Sequence, residues 1–324
     1  MSDLPEGLRP FLASAGWEGA GIDPIPGDAS FRRYFRVRDG GRNAMLMHAP
    51  PPNEDPRPFL DVAAWLSRNG MRAPEIYSAD AGAGWVLLED FGNDRMRDWL
   101  DVHPEDEDSA YAAAIDALVA LHARAPGPFP PYDLAAYRRE VEVFTEWYCP
   151  AAGIEADSES YWRAWEEALA PLLDRQVPGV TVLRDYHAEN IMLLPGGAQG
   201  LIDFQDALAG HRAYDLVSLL QDARREVSLD LEKRMLARYV SQVDGGPDFA
   251  ADYARLGAQR NAKIVGVFTR LWKRDGKPAY LPLIPRVWEA LERDLAHPAL
   301  APVAAWFDAN IPPAVRQKLG GTLG

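Results

Sequence analysis

The sequence is poor in cysteine and has no long apolar run. Its single cysteine, Cys149, excludes an intramolecular disulfide and a cysteine-built metal cluster, and we expect a buried, unreactive thiol there. No apolar stretch reaches the ~18 residues that a membrane-spanning helix needs, and the N-terminus lacks the basic and then apolar order of a signal peptide. We therefore expect a cytoplasmic protein with no membrane association.

Positive charge is also scarce. The 34 lysines and arginines are outnumbered by 48 aspartates and glutamates, which gives a formal net charge of −14. Such a surface repels phosphate backbones, so general nucleic-acid binding is not expected. The composition, with 48% hydrophobic and 25% charged residues over 324 positions, is that of a globular chain large enough for two lobes or two domains.

The first ninety residues predict a small β-rich lobe. Two strands, at 31–37 and 44–49, are joined by a turn in which Gly40 and Gly41 supply the positive φ of a tight hairpin. Amphipathic spacing predicts helices at 4–17 and 56–69, the second ending at Gly70. Further extended segments are predicted around 76–77 and at 85–88.

Beyond Asp90 the periodicity becomes helical. Apolar stripes with helical spacing predict helices over 110–124, 134–147, 158–176 and 213–226. We therefore divide the chain into a β-rich lobe at 1–90 and a larger helical lobe at 91–324.

A polar loop between apolar runs interrupts the helical lobe. Asp185 is followed five positions later by Asn190, then by a strand, the turn 195–197, a second strand and Asp203. This is the order of a kinase catalytic loop and its metal-binding aspartate. Phosphoryl transfer needs one carboxylate to orient and deprotonate the attacking hydroxyl and separate oxygen ligands for magnesium, and these three side chains are of the required types.

In this region the chain resembles the aminoglycoside phosphotransferase and choline kinase-like branch of the protein-kinase-like fold. The resemblance covers most of the chain and implies an α+β, two-lobed fold whose first lobe covers a nucleotide. It further implies ATP and Mg²⁺ as cofactors, Asp185 as catalytic base, and Asn190 and Asp203 as metal ligands. His187 also matches the family loop, where we favour a scaffold role over proton transfer. Asp215 is expected to cap a helix or brace the loop.

The chain departs from this family at the strand 44–48, where Met47 stands near the place of the phosphate-pairing lysine. No lysine occurs in the first ninety residues. Backbone N–H groups of Gly27 and Ser30, together with a guanidinium of Arg32 or Arg33, are candidates to replace it. Because adjacent strand residues point to opposite faces, at most one of the two arginines can bind the phosphates. The alternative that both are solvated surface residues stays open. Glu89 is a further predicted nucleotide contact.

Motifs at 27–37, 47–51, 183–187 and 203–207 narrow the resemblance to bacterial cell-wall-recycling sugar kinases, and 259–263 and 268–277 are similar to them as well. That subgroup phosphorylates the anomeric hydroxyl of N-acetylmuramate and N-acetylglucosamine, which implies an amino-sugar substrate and no obligate protein partner. N-acetylmuramate carries a carboxylate, and basic residues are concentrated between 260 and 277. The predicted sugar contacts are Asp206, Arg260, Lys263, Arg270 and Trp272, although Trp272 is equally compatible with simple packing.

Three other functions remain open at this stage. One is another small-molecule kinase of the same fold, acting on aminoglycosides or amino alcohols. The second is a nucleotide-binding module without catalysis, suggested by the absent lysine. The third and least favoured is a protein kinase, because no long activation segment ending in Ala-Pro-Glu follows Asp203.

Overall fold

The structure is a computed structural model that describes residues 4–26, 31–177, 179–318 and 320–323. The chain forms two compact units. The first, here called the β unit, comprises Met1–Trp99 and Asn190–Asp206, and the second, the helical unit, comprises Leu100–Glu189 and Ala207–Gly324. The sequence predicts one boundary after residue 90, whereas the β unit extends to Trp99 and includes a second, later segment of the chain.

The strands, in chain order, are β1 (Gly21–Ile25), β2 (Arg33–Asp39), β3 (Arg42–His48), β4 (Ile76–Asp80), β5 (Trp85–Leu88), β6 (Val180–Val182), β7 (Ile191–Leu193), β8 (Gln199–Leu201) and β9 (Leu208–Gly210). The helices are α1 (Leu8–Ser14), α2 (Arg57–Arg68), α3 (Met96–Val102), α4 (Glu107–His122), α5 (Leu134–Val143), α6 (Cys149–Ala151), α7 (Ser158–Arg175), α8 (Ala213–Leu220), α9 (Leu229–Val240), α10 (Phe249–Asp275), α11 (Ile284–Leu295) and α12 (Ala301–Asn310). Among the described residues, no helix combines the length and apolar character needed to cross a membrane.

A five-stranded antiparallel sheet in the order β1-β2-β3-β5-β4 forms the centre of the β unit. The predicted β2–β3 hairpin is confirmed, with φ of 53° at Gly40 and 91° at Gly41. Because strand side chains alternate, Phe35 and Val37 point to the face that packs on α1, where they join a buried apolar cluster with Leu8. Tyr34 and Arg36 therefore point to the opposite face.

A short hairpin, β7–β8, joins the β unit although it lies about a hundred residues later in the chain. The backbone N–H of Leu201 donates to the carbonyl of Arg72 at 2.8 Å, and that of Leu193 donates to Asp94 at 2.7 Å. These bonds attach the Asn190–Asp206 segment to the segments flanking the sheet. Phe204 then stacks on Phe59 of α2 with ring centroids 5.0 Å apart.

The 27-residue helix α10 is the centre of the helical unit and packs against α5, α8 and α11. A cluster of aromatic side chains fills the adjoining core, with Phe144 lying 5.0 Å from Tyr148, 5.3 Å from Phe307 and 6.0 Å from Trp288 between ring centroids. Cys149 is buried beside this cluster, and burial raises the pKa of its thiol to about 12, as expected for an unreactive cysteine.

Helix α8 is shorter than the predicted 213–226. It ends at Leu220 because the following side chains bind elsewhere. The carbonyl oxygen of the Gln221 side chain accepts a hydrogen bond from Asn261 at 2.7 Å, and Asp222 accepts one from the backbone of Arg224 at 2.8 Å. The contact with Asn261 joins residues 40 positions apart in the chain, so helical periodicity alone does not reveal it.

Candidate active site

The two predicted metal ligands lie at the same end of the β7–β8 hairpin. Ile191 pairs with Leu201, so Asn190 immediately precedes the paired residues and Asp203 follows shortly after them. The backbone N–H of Ile202 donates to the carbonyl of Asn190 at 3.1 Å, which extends the pairing by one step. The side chain of Asp203 is 46% exposed and accepts a hydrogen bond from Gln205 at 3.0 Å.

Strained backbone marks two positions of the predicted catalytic segment. Arg184, with φ of 71°, and Asp203, with φ of 58°, are the non-glycine residues in the left-handed region within the described parts of the chain. Such conformations cost about 1–3 kcal/mol each and are concentrated at functional sites. Arg184 directly precedes Asp185, so both strained residues are predicted catalytic groups or their immediate neighbours.

In the helical unit, the loop that carries Asp185 is held by Asp215. The buried Asp215 carboxylate accepts hydrogen bonds from the backbone N–H groups of Leu183 at 2.7 Å and Arg184 at 2.9 Å. Burial raises the pKa of Asp215 to about 7, although these two bonds favour its ionised form. The expected loop-bracing role of Asp215 agrees with these contacts.

Positive charges set the ionisation of Asp185 itself. Burial by itself would raise the pKa of this carboxyl, but the cations Lys263, Arg260 and Arg184 lower it, and the net pKa lies below the ordinary value. Asp185 is therefore ionised at neutral pH. A carboxylate in this state can accept a hydrogen bond from a substrate hydroxyl and then take its proton.

Glu140, a residue that sequence reasoning missed, organises these charges. Its buried carboxylate pairs with Arg184 and, at 3.0 Å, with the ammonium of Lys263, and it accepts hydrogen bonds from Tyr132 and Gln259. Burial would raise the pKa of Glu140, but Lys263 and Arg184 lower it to about 2. The available signal was positional, since Glu140 occupies the apolar stripe of α5 between buried residues 137 and 141.

His187 is buried in the same loop and lies among charged partners. Arg224 contacts the Nε2 atom of His187 at 3.3 Å, and the backbone N–H of Ala188 donates to Asp222 at 3.3 Å. Burial lowers the pKa of His187 to about 4, so the imidazole is neutral at neutral pH. This environment is that of a scaffold side chain, the role favoured from the sequence.

The two arginines proposed to replace the absent lysine point to different places. Arg32 Nη1 lies 3.8 Å from Asp203 Oδ1, and Arg32 Nε lies 3.8 Å from Glu54 Oε2. The guanidinium of Arg33 instead lies 5.3 Å from the ring centroid of Phe35. Gly27 and Ser30 lie outside the described residues.

Glu89 follows β5, and its side chain is paired within the β unit. Its two carboxylate oxygens accept hydrogen bonds from Arg72 at 2.5 and 2.7 Å, and one of them also accepts from the backbone of Glu75 at 3.2 Å. The hydrogen bonds from Arg72 hold the pKa of Glu89 below its usual value. The predicted nucleotide contact at this residue therefore requires its backbone or an exchange of partners.

The predicted sugar contacts are distributed over both units. Asp206 is exposed in the β unit, where Gln205 approaches it at 3.5 Å, and the other four lie on α10. Arg260 is buried and donates to Ser218 at 2.9 Å, and Lys263 binds Glu140.

The remaining two α10 residues lie on different faces of the helix. At 3.6 residues per turn, Arg270 falls two turns after Lys263 on the same face, and Trp272 falls about 180° away. The Nε atom of Arg270 is buried and makes no hydrogen bond with any described residue. Lys273 covers the ring of Trp272, with its ammonium 3.8 Å from the ring centroid. The helix thus brings Arg270, but not Trp272, to the face of Lys263.

The oxygen donors at the end of the β7–β8 hairpin suit a hard divalent cation. A carboxylate from Asp203 and an amide oxygen from Asn190 are typical Mg²⁺ ligands, and Mg²⁺ usually takes only one or two protein ligands together with phosphates and water. Within the described residues, no group of three or more His, Cys, Asp and Glu side chains forms a closed metal cluster. The donor set thus fits a metal carried with a phosphate substrate.

Comparison with known proteins agrees with this chemistry. The sequence profile of the phosphotransferase enzyme family matches residues 21–257. A protein of Caulobacter vibrioides named N-acetylmuramate/N-acetylglucosamine kinase is 36% identical, with 95% of this chain and 96% of that protein covered. A Pseudomonas aeruginosa protein of the same name is 38% identical, with 93% and 91% covered.

Solved structures agree at the level of the fold. Choline kinase LicA from Streptococcus pneumoniae superposes with a TM-score of 0.59 at 14% identity, over 87% of this chain and 93% of that one. This similarity confirms the protein-kinase-like fold expected from the sequence. The profile match and the two relatives show that the chain belongs to the phosphotransferase enzyme family.

Proposed function

We propose that this chain is an ATP-dependent sugar kinase that phosphorylates the anomeric C1 hydroxyl of N-acetylmuramate and N-acetylglucosamine, in the recycling of peptidoglycan. The observation that carries the proposal is the similarity to four proteins named N-acetylmuramate/N-acetylglucosamine kinase, at 34–38% identity over 86–95% of this chain. Its cytoplasmic location stays a prediction.

Asp185 is the proposed catalytic base. Its pKa lies below the ordinary value, so it is ionised and can accept the proton of the C1 hydroxyl as the oxygen attacks phosphorus. The bond from that oxygen to phosphorus forms while the bond from phosphorus to the leaving ADP oxygen breaks. Asp215 keeps the loop in position through its bonds to the backbone of Leu183 and Arg184.

Asn190 and Asp203 would hold Mg²⁺, which, when bound, neutralises charge on the phosphate oxygens. Strain at Asp203, its hydrogen bond from Gln205 and the stacking of Phe204 on Phe59 fix the direction of this carboxylate. Such preorganisation reduces the entropy lost when the phosphate substrate binds.

A cation is needed for the lactyl carboxylate that N-acetylmuramate carries and N-acetylglucosamine lacks. Of the predicted α10 cations, Lys263 is paired with Glu140, and Arg260 is bound to Ser218. Arg270 lies two turns from Lys263 on the same face, and its buried Nε atom makes no hydrogen bond with any described residue. We therefore assign the carboxylate contact to Arg270.

The function is tested by incubating the protein with Mg-ATP and each sugar and locating the new phosphate by phosphorus NMR. We expect sugar-dependent release of ADP and a product whose phosphorus couples to the anomeric proton. Aminoglycosides and choline serve as competing acceptors. Turnover of one of these in place of both sugars would favour another small-molecule kinase, and nucleotide binding without any transfer would favour a non-catalytic module.

A further inference from the structure

The β unit has a methionine where a kinase of this fold would place a positive charge on its third strand. Met47 of β3 is fully buried, and the first ninety residues contain no lysine. The α- and β-phosphates of ATP carry negative charge that must be offset by the protein or by metal. The basic side chains of the β unit are therefore the candidates to take over the role of this missing lysine.

The register of the hairpin shows which side chains can reach the surroundings of Met47. Tyr34 of β2 is paired directly with Met47, so the two side chains lie on the same face of the sheet. The Tyr34 hydroxyl lies 3.5 Å from the Met47 sulfur. Arg32 lies immediately before β2 and two positions before Tyr34, so continuing the alternation of the strand places it on this same face.

The guanidinium of Arg32 lies between two carboxylates at this face. It is 3.8 Å from Glu54, which precedes α2, and 3.8 Å from the predicted metal ligand Asp203. The Arg32 side chain is only 14% exposed, so its charge acts in a partly desolvated environment where ionic interactions are strong. If Asp203 holds the metal ion that binds the phosphates of the nucleotide, a cation beside Asp203 also lies close to those phosphates.

Two arginines of β2, the strand that Arg32 precedes, have different partners. Arg33 points to the opposite face and lies over Phe35. Arg36 shares the face of Arg32, but its guanidinium donates to Asn93 at 2.8 Å, Gly92 at 2.9 Å and Asp90 at 3.0 Å. Arg36 thereby anchors the segment after β5.

We propose that Arg32 replaces the absent strand lysine and binds the α- and β-phosphates of the nucleotide, with Glu54 holding its guanidinium in place. The proposal rests on the proposed kinase function and is carried by the position of Arg32 between Glu54 and Asp203, beside the residue paired with Met47. Its planar fork can donate two parallel hydrogen bonds to phosphate oxygens, whereas the ammonium of a lysine acts as a compact point charge.

The test compares the binding of ADP and adenosine, measured by calorimetry without sugar. Arg32→Ala should weaken ADP binding about 10- to 100-fold, the range for a hydrogen bond to a charged group, and leave adenosine binding unchanged. Arg33→Ala is the matched control and should change neither affinity by more than about 2-fold. Equal ADP affinity in Arg32→Ala and the unmodified protein, or equal losses for ADP and adenosine, would overturn the proposal.

Removal of metal distinguishes a direct contact from an effect through Asp203. In EDTA, Arg32→Ala should still weaken ADP binding, because the guanidinium itself binds phosphate. A defect that vanishes in EDTA would show that Arg32 acts only on the metal ligand, and would overturn the proposal.

Two further controls protect the interpretation. If Arg32→Ala fails to fold, as judged by thermal unfolding, Arg32→Gln takes its place, because it keeps most of the side-chain length and removes the charge. It should lose about 10-fold in ADP affinity with adenosine affinity unchanged; unchanged ADP affinity in Arg32→Gln would overturn the proposal. Failure of the unmodified protein to bind ADP at all would contradict the kinase function itself, whereas ADP binding without sugar turnover would contradict only the sugar substrate.

Discussion

At the scale of single residues, the environment of Asp185 gives it the properties of a base. A carboxylate becomes a poor acceptor for a hydroxyl proton if burial keeps it protonated, and here Lys263 and Arg260 prevent this by lowering its pKa. Glu140 in turn neutralises Lys263 and Arg184, so the loop does not accumulate uncompensated positive charge. The ionised state of Asp185 thus depends on several charged residues around it.

We predict that Asp185→Asn lowers the turnover number for both sugars about 10²- to 10⁴-fold, because the amide cannot accept the hydroxyl proton. Steady-state kinetics with a coupled assay for ADP provide the measurement, and the affinity for ADP should stay near that of the unmodified protein. Asp174→Asn, which changes an exposed carboxylate on α7, is the control. Full turnover in Asp185→Asn would exclude the base role.

A second residue prediction concerns the choice between the two sugars. Arg270→Ala should raise KM for N-acetylmuramate about 10- to 100-fold, through loss of an ionic hydrogen bond, with little change for N-acetylglucosamine. Kinetics of the two sugars under identical conditions measure this difference. Arg274→Ala, one turn further along α10 and exposed, is the control. A parallel loss for both sugars would show that Arg270 supports the fold of the site and not the carboxylate.

At the scale of elements, the β2–β3 hairpin determines which side chains meet on each face of the sheet. Its register pairs Tyr34 with Met47 and Arg36 with Met45, so alternate residues of the two strands share one face. A shift of the β2–β3 register by one residue would move the side chains of this face to the face that packs on α1. The turn at Gly40 and Gly41 therefore contributes indirectly to the placement of Arg32.

This register predicts that a lysine introduced at Met47 can compensate for the loss of Arg32. Arg32→Ala with Met47→Lys should recover about tenfold of the lost ADP affinity, since the new ammonium lies on the same face beside Tyr34. The control, Arg32→Ala with Met45→Lys, places the charge opposite Arg36 and should recover nothing. ADP titration measures both, and recovery by Met45→Lys but not by Met47→Lys would contradict the predicted position.

At the scale of the whole molecule, buried titratable groups make stability depend on pH. Burial lowers the pKa of His122 to about 3 and of His187 and His211 to about 4, all from 6.5. The unfolded chain binds more protons than the folded one between these values, so stability rises with pH up to about 6.5. Burial has the opposite consequence for Asp215 and Asp294, whose pKa values are raised from 3.8 to about 7 and about 8.

A carboxyl with a raised folded pKa binds more protons in the folded state, so its contribution to stability falls as pH rises from 3.8 to the folded value. Between pH 6.5 and 8 the three histidines are largely neutral in both the folded and the unfolded chain, so they no longer offset the loss of stability caused by the two carboxyls. We predict that the free energy of unfolding decreases over this window, by at most about 1.4 kcal/mol per pH unit for each titrating group.

Asp294 is the group that titrates last in this window, and its carboxylate accepts hydrogen bonds from Gln221 at 3.2 Å and Asn261 at 3.4 Å. Asp294→Asn should flatten the decline between pH 7 and 8 in urea unfolding experiments. Asp61→Asn, at an exposed position of α2, should keep the slope of the unmodified protein. An unchanged slope in Asp294→Asn would refute the assignment.

Asp185, Asn190 and Asp203 could be selected as candidate catalytic and metal-binding residues from the sequence. They lie within one short segment of loop, strand, turn and strand, and their spacing reflects the chemistry of phosphoryl transfer. The β2–β3 hairpin was predictable for a similar reason, since two glycines and two apolar runs define it locally. Family membership and the kinase-like fold follow from the same local motifs.

Tertiary structure alone decided which arginine approaches Asp203, which acid organises the charges around Asp185, and where α8 ends. Arg32 and Arg33 are indistinguishable as neighbours in a sequence, and only the register and the return of Asn190–Asp206 to the β unit separate them. Glu140, Arg184 and Lys263 belong to three separate segments of the chain and come into contact only in the folded protein. These features depend on contacts between residues far apart in the chain, and local propensity carries no information about such contacts.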